Sequence, residues 1–146
     1  MSEQCHFGPL DGMSDDEIKE ILKNTETVAI IGASDDPSRA SYDIMRFLIE
    51  KGYNVYPVNP NHSSIMGRDC VPDLRGIGER IDLVNVFRNP KYLGPIISDS
   101  IDIGARCVWL QMGVVNREAY DTSMEAGLCT VMNRCIKVEY RRLMYT

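Results

Sequence analysis

In the stretch TVAIIGASDDPSRASYDIMRFL, Thr27 to Leu48, a short β-branched run breaks at Gly32, passes through small and polar residues, and becomes a helix with an apolar stripe. A strand-glycine-helix junction of this kind suits an anion. Glycine lets a ligand approach the backbone, while the N–H groups that follow and the helix N-terminus near Ser38 to Ala40 favour negative charge. Ser34 and Ser38 add hydroxyl donors and Arg39 adds a cation, so the chemistry available here is binding of a phosphate or pyrophosphate. The dinucleotide fingerprint GxGxxG is not met, because Ser34 and Pro37 stand where its second and third glycines belong. A plain strand-to-helix turn is the alternative reading, and Asp35 and Asp36 must point outward if a phosphate is to sit here.

Other candidate chemistry is thinner. An NAD site places an acidic residue after the second strand to hold the ribose diol. The segment YNVYPVNPN offers Val58, Asn59 and Pro60 instead, with no aspartate or glutamate between Lys51 and Arg68. Five cysteines, Cys5, Cys70, Cys107, Cys129 and Cys135, form no CxxC pair, and Cys107 and Cys129 fall in apolar strand-like runs that suit reduced, buried side chains. Neither His6 nor His62 has a second ligand at metal-binding spacing, so no metal is expected. No Ser-His-Asp or Cys-His set is apparent; Cys135 is the most arguable thiol, with a structural role the favoured reading. The pairs Asp15-Asp16 and Asp35-Asp36 sit at a helix start and in a turn, where aspartate has local reasons to be.

These residues need elements to position them. A chain of 146 residues, 44% hydrophobic and 25% charged, fits one globular domain with a substantial core. A net charge of -5 without a basic block argues against nucleic acid as a partner. Apolar runs too short for a bilayer and a polar start, MSEQCHFG, argue against a membrane or a signal peptide and for a soluble cytoplasmic protein. The first dozen residues lack periodicity and read as a loose tail, residues 1–13. Ser14 to Glu17 then has capping-box spacing, opening a helix and the single domain of residues 14–146. Strand-like runs at Thr27–Ile31, Asn54–Val58, Asp82–Phe87, Cys107–Gln111 and Cys129–Asn133 alternate with helical stripes that stop at Gly52, Gly104 and Gly127. Asn89-Pro90 and Asn116 offer helix starts. Strands that read as continuous apolar runs joined by helices predict an α/β fold: a Rossmann-like, doubly wound, mainly parallel sheet with helices on both faces. Residues 60–80 fit less regularly and suggest a loop, a very short strand and a turn of helix, while CIKVEYRRLMYT reads as a C-terminal helix packed on the sheet.

The segments VAIIGASDDPSRASYDIMRFLIEKGYNVYPVNPN, DLVNVFRNP, CVWLQMGVVN and VMNRCIKVEY resemble, in this order, the small single-domain CoA-binding proteins, which are similar to the nucleotide-binding domain of the succinyl-CoA synthetase alpha subunit. The resemblance runs from about residue 15 to the C-terminus. It implies a coenzyme A site with Gly32, Ala33, Ser34, Ser38 and Arg39 near the pyrophosphate, and Val58, Asn59 and Pro60 beside the adenosine. Phe87, Arg88 and Asn89, then Gln111, Met112 and Gly113, would line the path of the pantetheine arm. Ala40 departs from relatives that often carry proline or glycine there. Arg39, Arg68 and His62 are the candidate cations for the ribose 3′-phosphate.

In the synthetase the phosphorylated histidine lies on a further domain, which this chain is not expected to supply, and neither His6 nor His62 matches that site. The reading favoured is therefore a module that binds CoA or an acyl-CoA as carrier, sensor or regulator, without catalysis of its own. The alternative is an enzyme or enzyme subunit, working on a CoA thioester with a partner chain or using NAD(P). A homodimer or a protein partner is open to it, with Met144 and Tyr145 as apolar contact candidates, and Trp109 is placed near the ligand crevice.

Overall fold

The computed structural model describes residues 10–145, so Cys5 and His6 lie outside the described residues. In chain order the elements are α1 (Asp15–Asn24), β1 (Thr27–Ile31), α2 (Ala40–Glu50), β2 (Asn54–Val58), β3 (Ser64–Ile65), β4 (Arg68–Asp69), β5 (Leu83–Val86), α3 (Leu93–Asp102), β6 (Cys107–Leu110), α4 (Arg117–Glu125), β7 (Cys129–Met132) and α5 (Ile136–Met144). Five strands form one sheet in the order β2-β1-β5-β6-β7, every neighbouring pair parallel. This is the doubly wound, Rossmann-like α/β fold expected from the alternation of apolar runs and helices. Side chains of α1, α2 and α5 cover one face around Ile30, Leu83 and Trp109; α3 and α4 cover the other around Ala29, Val84 and Val108.

Local chemistry accounts for the boundaries. Ser14 and Glu17 form the reciprocal capping box, Asn116 accepts from the Ala119 N–H, and Gly52, Gly104 and Gly127 follow α2, α3 and α4 in left-handed backbone. Asp82, Phe87, Gln111 and Asn133 fall just outside the strands expected to contain them. Just before β5, Asp82 donates its N–H to the Thr27 carbonyl and its carboxylate accepts from the N–H groups of Glu26 (2.8 Å) and Thr27 (3.2 Å), pinning β1 against β5 at the sheet's amino-terminal edge. Residues 60–80 contain two very short strands rather than one. Met66 and Gly67, at φ of 52° and 75°, turn the β3–β4 hairpin, and Val71 then bridges back to Val58. A 3-10 turn, Leu74–Gly76, completes the segment. Among the described residues no helix is long and apolar enough to cross a membrane.

Residues 10–13, assigned from sequence to a loose tail, are docked. Leu10 donates to the Met132 carbonyl, and the Asp11 carboxylate accepts from Arg134 at 2.9 Å through both Nε and Nη2 and from the Met132 N–H. Arg134 also donates to Glu139 at 2.8 Å, which joins α5 to the same cluster. Burial pushes the Asp11 carboxyl up, but the hydrogen bonds from Arg134 and from the Met13 and Met132 N–H groups outweigh it and hold it below the ordinary carboxylate range. Trp109, expected near the crevice, is instead fully enclosed in the sheet core, its Nε1 donating to the Arg134 carbonyl. Inside the same face, Asn85 stands 0% exposed between Ile30 and Trp109 with neither amide atom hydrogen bonded.

Three stability predictions rest on this packing. Removing one partner of a buried ion pair leaves the other charge uncompensated, so Asp11→Ala should cost about 3–5 kcal/mol in urea unfolding. Because the folded Asp11 carboxyl is depressed, its contribution is complete above its unfolded value and is lost as pH falls through the folded one, so wild-type stability should drop more steeply between about pH 5 and pH 2 than that of Asp11→Ala. Asn85→Leu removes an orphaned amide and should raise stability by about 1–3 kcal/mol, measured by the same melts.

Candidate functional site

The strand order reverses at β1. From β1 the chain crosses by α2 to β2 on one side, whereas β5 lies on the other, so the loops after β1 and β5 diverge and leave a crevice at the carboxyl ends of the strands. Gly32 stands at its base. Its backbone is left-handed at φ +86°, and a Cβ there would lie 3.3 Å from the Phe87 Cβ. Only glycine satisfies both demands without strain. The N–H groups of Gly32 and Ala33 donate to the Val58 carbonyl at 3.1 and 3.3 Å, while Asn59 Nδ2 donates to the Ala33 carbonyl at 2.7 Å. The β1 and β2 loops are thus tied into one wall.

Residues 34–39 make a compact polar turn. Ser34 Oγ accepts from the Asp36 N–H, and Ser38 donates both its N–H (3.0 Å) and its hydroxyl (2.8 Å) to Asp36. These hydrogen bonds, the Ser38 N–H first, hold the Asp36 carboxyl below its ordinary range. The Ser38 donors face Asp36 in this arrangement. Arg39 is exposed at the start of α2, which has no side-chain cap, so the dipole and first-turn N–H groups of that helix meet no side-chain acceptor. His62 Nδ1 approaches Asp35 at 3.7 Å across the two loops. Arg68 lies apart from the crevice, beside Asn54–Tyr56 at the start of β2.

On the α3 side a cleft with an empty volume of about 750 Å³ opens over the strand ends. Of the residues singled out from sequence, Gly32, Val58, Asn59, Pro60 and Arg88 line it. Leu74, Tyr92 and Ile96 complete its apolar wall, and sequence reasoning missed them. A signal for Leu74 existed in the prolines and glycines of residues 60–80, which fold the chain back across β2. The Arg88 guanidinium stacks 4.4 Å from the centre of the Tyr92 ring at the rim. Asn89 is committed to a helix start, its Oδ1 accepting from the Lys91 N–H.

The remaining expected residues gather at the end of β6, on the α5 side. Gln111 is buried and its Oε1 accepts from the Ile136 N–H at the start of α5. Gly113 donates to Asn133 Oδ1, and Met112 projects at the rim, 62% exposed. All fourteen expected residues therefore flank the carboxyl ends of β1, β2, β5 and β6, divided between the cleft and the ends of α2 and α5. Among the described residues no group of three or more histidines, cysteines or carboxylates could hold a metal ion.

Comparison with known proteins identifies the family and the fold. The family profile described as a CoA binding domain matches residues 26–141. The uncharacterized protein YneT of Bacillus subtilis (strain 168) is 38% identical over 124 residues, which are 85% of this chain and 92% of that protein. The structure of a hypothetical protein from Pyrococcus horikoshii OT3 superposes with a TM-score of 0.91 at 41% identity, covering 94% of this chain and 96% of that one. Acetate–CoA ligase (ADP-forming) I subunit alpha of Pyrococcus furiosus is 52% identical over 95 residues, 61% of this chain. The chain spans only 21% of that subunit. A profile match that begins at β1, takes in the Gly32 junction and runs into α5 shows that this chain belongs to the CoA binding domain family.

Proposed function

We propose that the crevice binds coenzyme A or an acyl-CoA and that the chain serves as a carrier, sensor or regulatory module, without catalysing a reaction by itself. The observation that carries the reading is the Gly32 junction, where a left-handed glycine at the reversal of strand order lines the cleft and leads into a helix whose start has no side-chain cap. A pyrophosphate placed against residues 32–39 gains the α2 dipole and the Arg39 charge. The cleft beside Val58, Asn59 and Pro60 is of a size and apolarity suited to adenosine. A pantetheine arm then runs past Phe87–Asn89 toward Gln111–Gly113, with exposed Met112 at the rim. For the 3′-phosphate, Arg39 at the start of α2 and His62 beside Asp35 are the cations on the loops after β1 and β2, while Arg68 lies beside the start of β2.

Absence of a nucleophile paired with a base among the residues of this crevice favours binding over catalysis. A second reading has its own support in the 52% identity to a ligase alpha subunit: the chain would present CoA to a partner chain that carries the chemistry. Copurification with such a partner, together with acyl-CoA turnover by the mixture and none by the isolated chain, distinguishes the two.

Calorimetric titration of ligand-free protein with CoA, dephospho-CoA and NAD tests the ligand. CoA should bind, more weakly without its 3′-phosphate, and NAD should not; NAD binding alone overturns the proposal. Gly32→Val should abolish CoA binding with the far-UV circular dichroism preserved, because a β-branched side chain meets Phe87 and opposes the positive φ. Unchanged affinity would remove the site from Gly32. Arg39→Ala should weaken binding by about 1–3 kcal/mol if its guanidinium meets a phosphate.

A further inference from the structure

At the amino-terminal edge of the sheet, opposite the crevice, β6 and β7 each begin with a cysteine. Cys107 and Cys129 are register partners in the parallel pairing, and both pack on the face covered by α1 and α5. Both are free thiols, and they line one cavity together. Adjacent strands run about 4.8 Å apart, and a disulfide spans Cα separations of about 4.4–6.8 Å. The two sulfurs can therefore be joined with little backbone movement, and that movement falls on the first residues of two strands, one of them the edge strand β7.

The pair is also reachable. Cys107 is 4% exposed, but Cys129 is only partly buried, and a solvent-open cavity of about 460 Å³ is lined by both. Glu20, Ile21 and Asn24 of α1 form one wall, and Arg106 brings a cation to another. Asp82 also lines the cavity, with its carboxylate already occupied by the N–H groups of Glu26 and Thr27. Burial pushes the Cys107 thiol up, and Cys107 is the more enclosed of the two. The two sulfurs are thus unequal in accessibility, and Cys129 is the one that a reagent from solvent meets first.

We propose that Cys107 and Cys129 form a reversible dithiol–disulfide site for low-molecular-weight disulfides, with Cys129 as the attacking sulfur and Cys107 as the resolving one. The Cys129 thiolate attacks a disulfide RSSR, forms a Cys129–S–SR bond and releases RS⁻. Cys107 then attacks the Cys129 sulfur, forming the Cys107–Cys129 disulfide as the second S–R unit leaves and takes the Cys107 proton as RSH. The protein dithiol is oxidised by two electrons and RSSR is reduced to two thiols. This site is independent of the CoA crevice, so a result at either does not decide the other.

The test uses the folded full chain and glutathione disulfide, followed by maleimide quenching and peptide mapping. The expected product is a Cys107–Cys129 cross-linked peptide that dithiothreitol reverses. Cys107→Ser should arrest the reaction as a glutathione adduct on Cys129, and Cys129→Ser should leave Cys107 reduced. In untreated wild-type protein, where no variant need fold, maleimide should label Cys129 at least about tenfold faster than Cys107. A persistent glutathione adduct on wild-type Cys129, both thiols recovered fully reduced, a cross-link found only in urea, or equal labelling rates would each overturn the proposal.

Discussion

The crevice depends on one close approach. At Gly32 the chain leaves β1 in left-handed backbone with Phe87 so near that a single added carbon would sit 3.3 Å from its Cβ. Because no side chain intervenes, the ends of β1 and β5 stay in contact, Gly32 and Ala33 reach the Val58 carbonyl, and Asn59 closes back on Ala33. The loop that would meet a phosphate is therefore held by backbone hydrogen bonds. Little of it has to be ordered when a ligand arrives, which lowers the entropic cost of binding.

A second constraint holds the far side of the site. Arg134, just after β7, gathers Asp11 from the N-terminal segment and Glu139 from α5, all nearly out of water. Buried charges are costly unless fully paired, and here the guanidinium is shared between two carboxylates and the Met13 carbonyl. The consequence is positional: α5 begins where its Ile136 N–H can reach Gln111, and the N-terminal segment covers the outer edge of β7. An open edge strand would otherwise present unpaired backbone to other chains.

The two ends of the sheet are built for different chemistry. At the carboxyl ends, diverging loops open a cleft beside the start of a helix. At the amino ends, Asp82 locks β1 to β5 while two cysteines share the opening of β6 and β7. Parallel strands bring residues far apart in sequence, such as 107 and 129, into register, so the same topology that makes the crevice also makes the dithiol.

Much of this was determined by sequence alone. Continuous apolar strands, glycine stops and asparagine caps are local signals, and they specify a parallel α/β sheet because no other arrangement covers both faces of such strands. Gly32 was legible as the junction between a β-branched run and an amphipathic helix, while its close approach to Phe87 was not. Tertiary structure alone decided what depends on contacts between distant segments: the docking of Asp11 onto Arg134, the return of residues 60–80 over β2 to bring Leu74 into the cleft, the enclosure of Trp109, and the pairing of Cys107 with Cys129. Periodicity shows which face of an element is apolar. It carries no record of which partner that face meets, and strand register, which sets those partners, exists only once the sheet has formed.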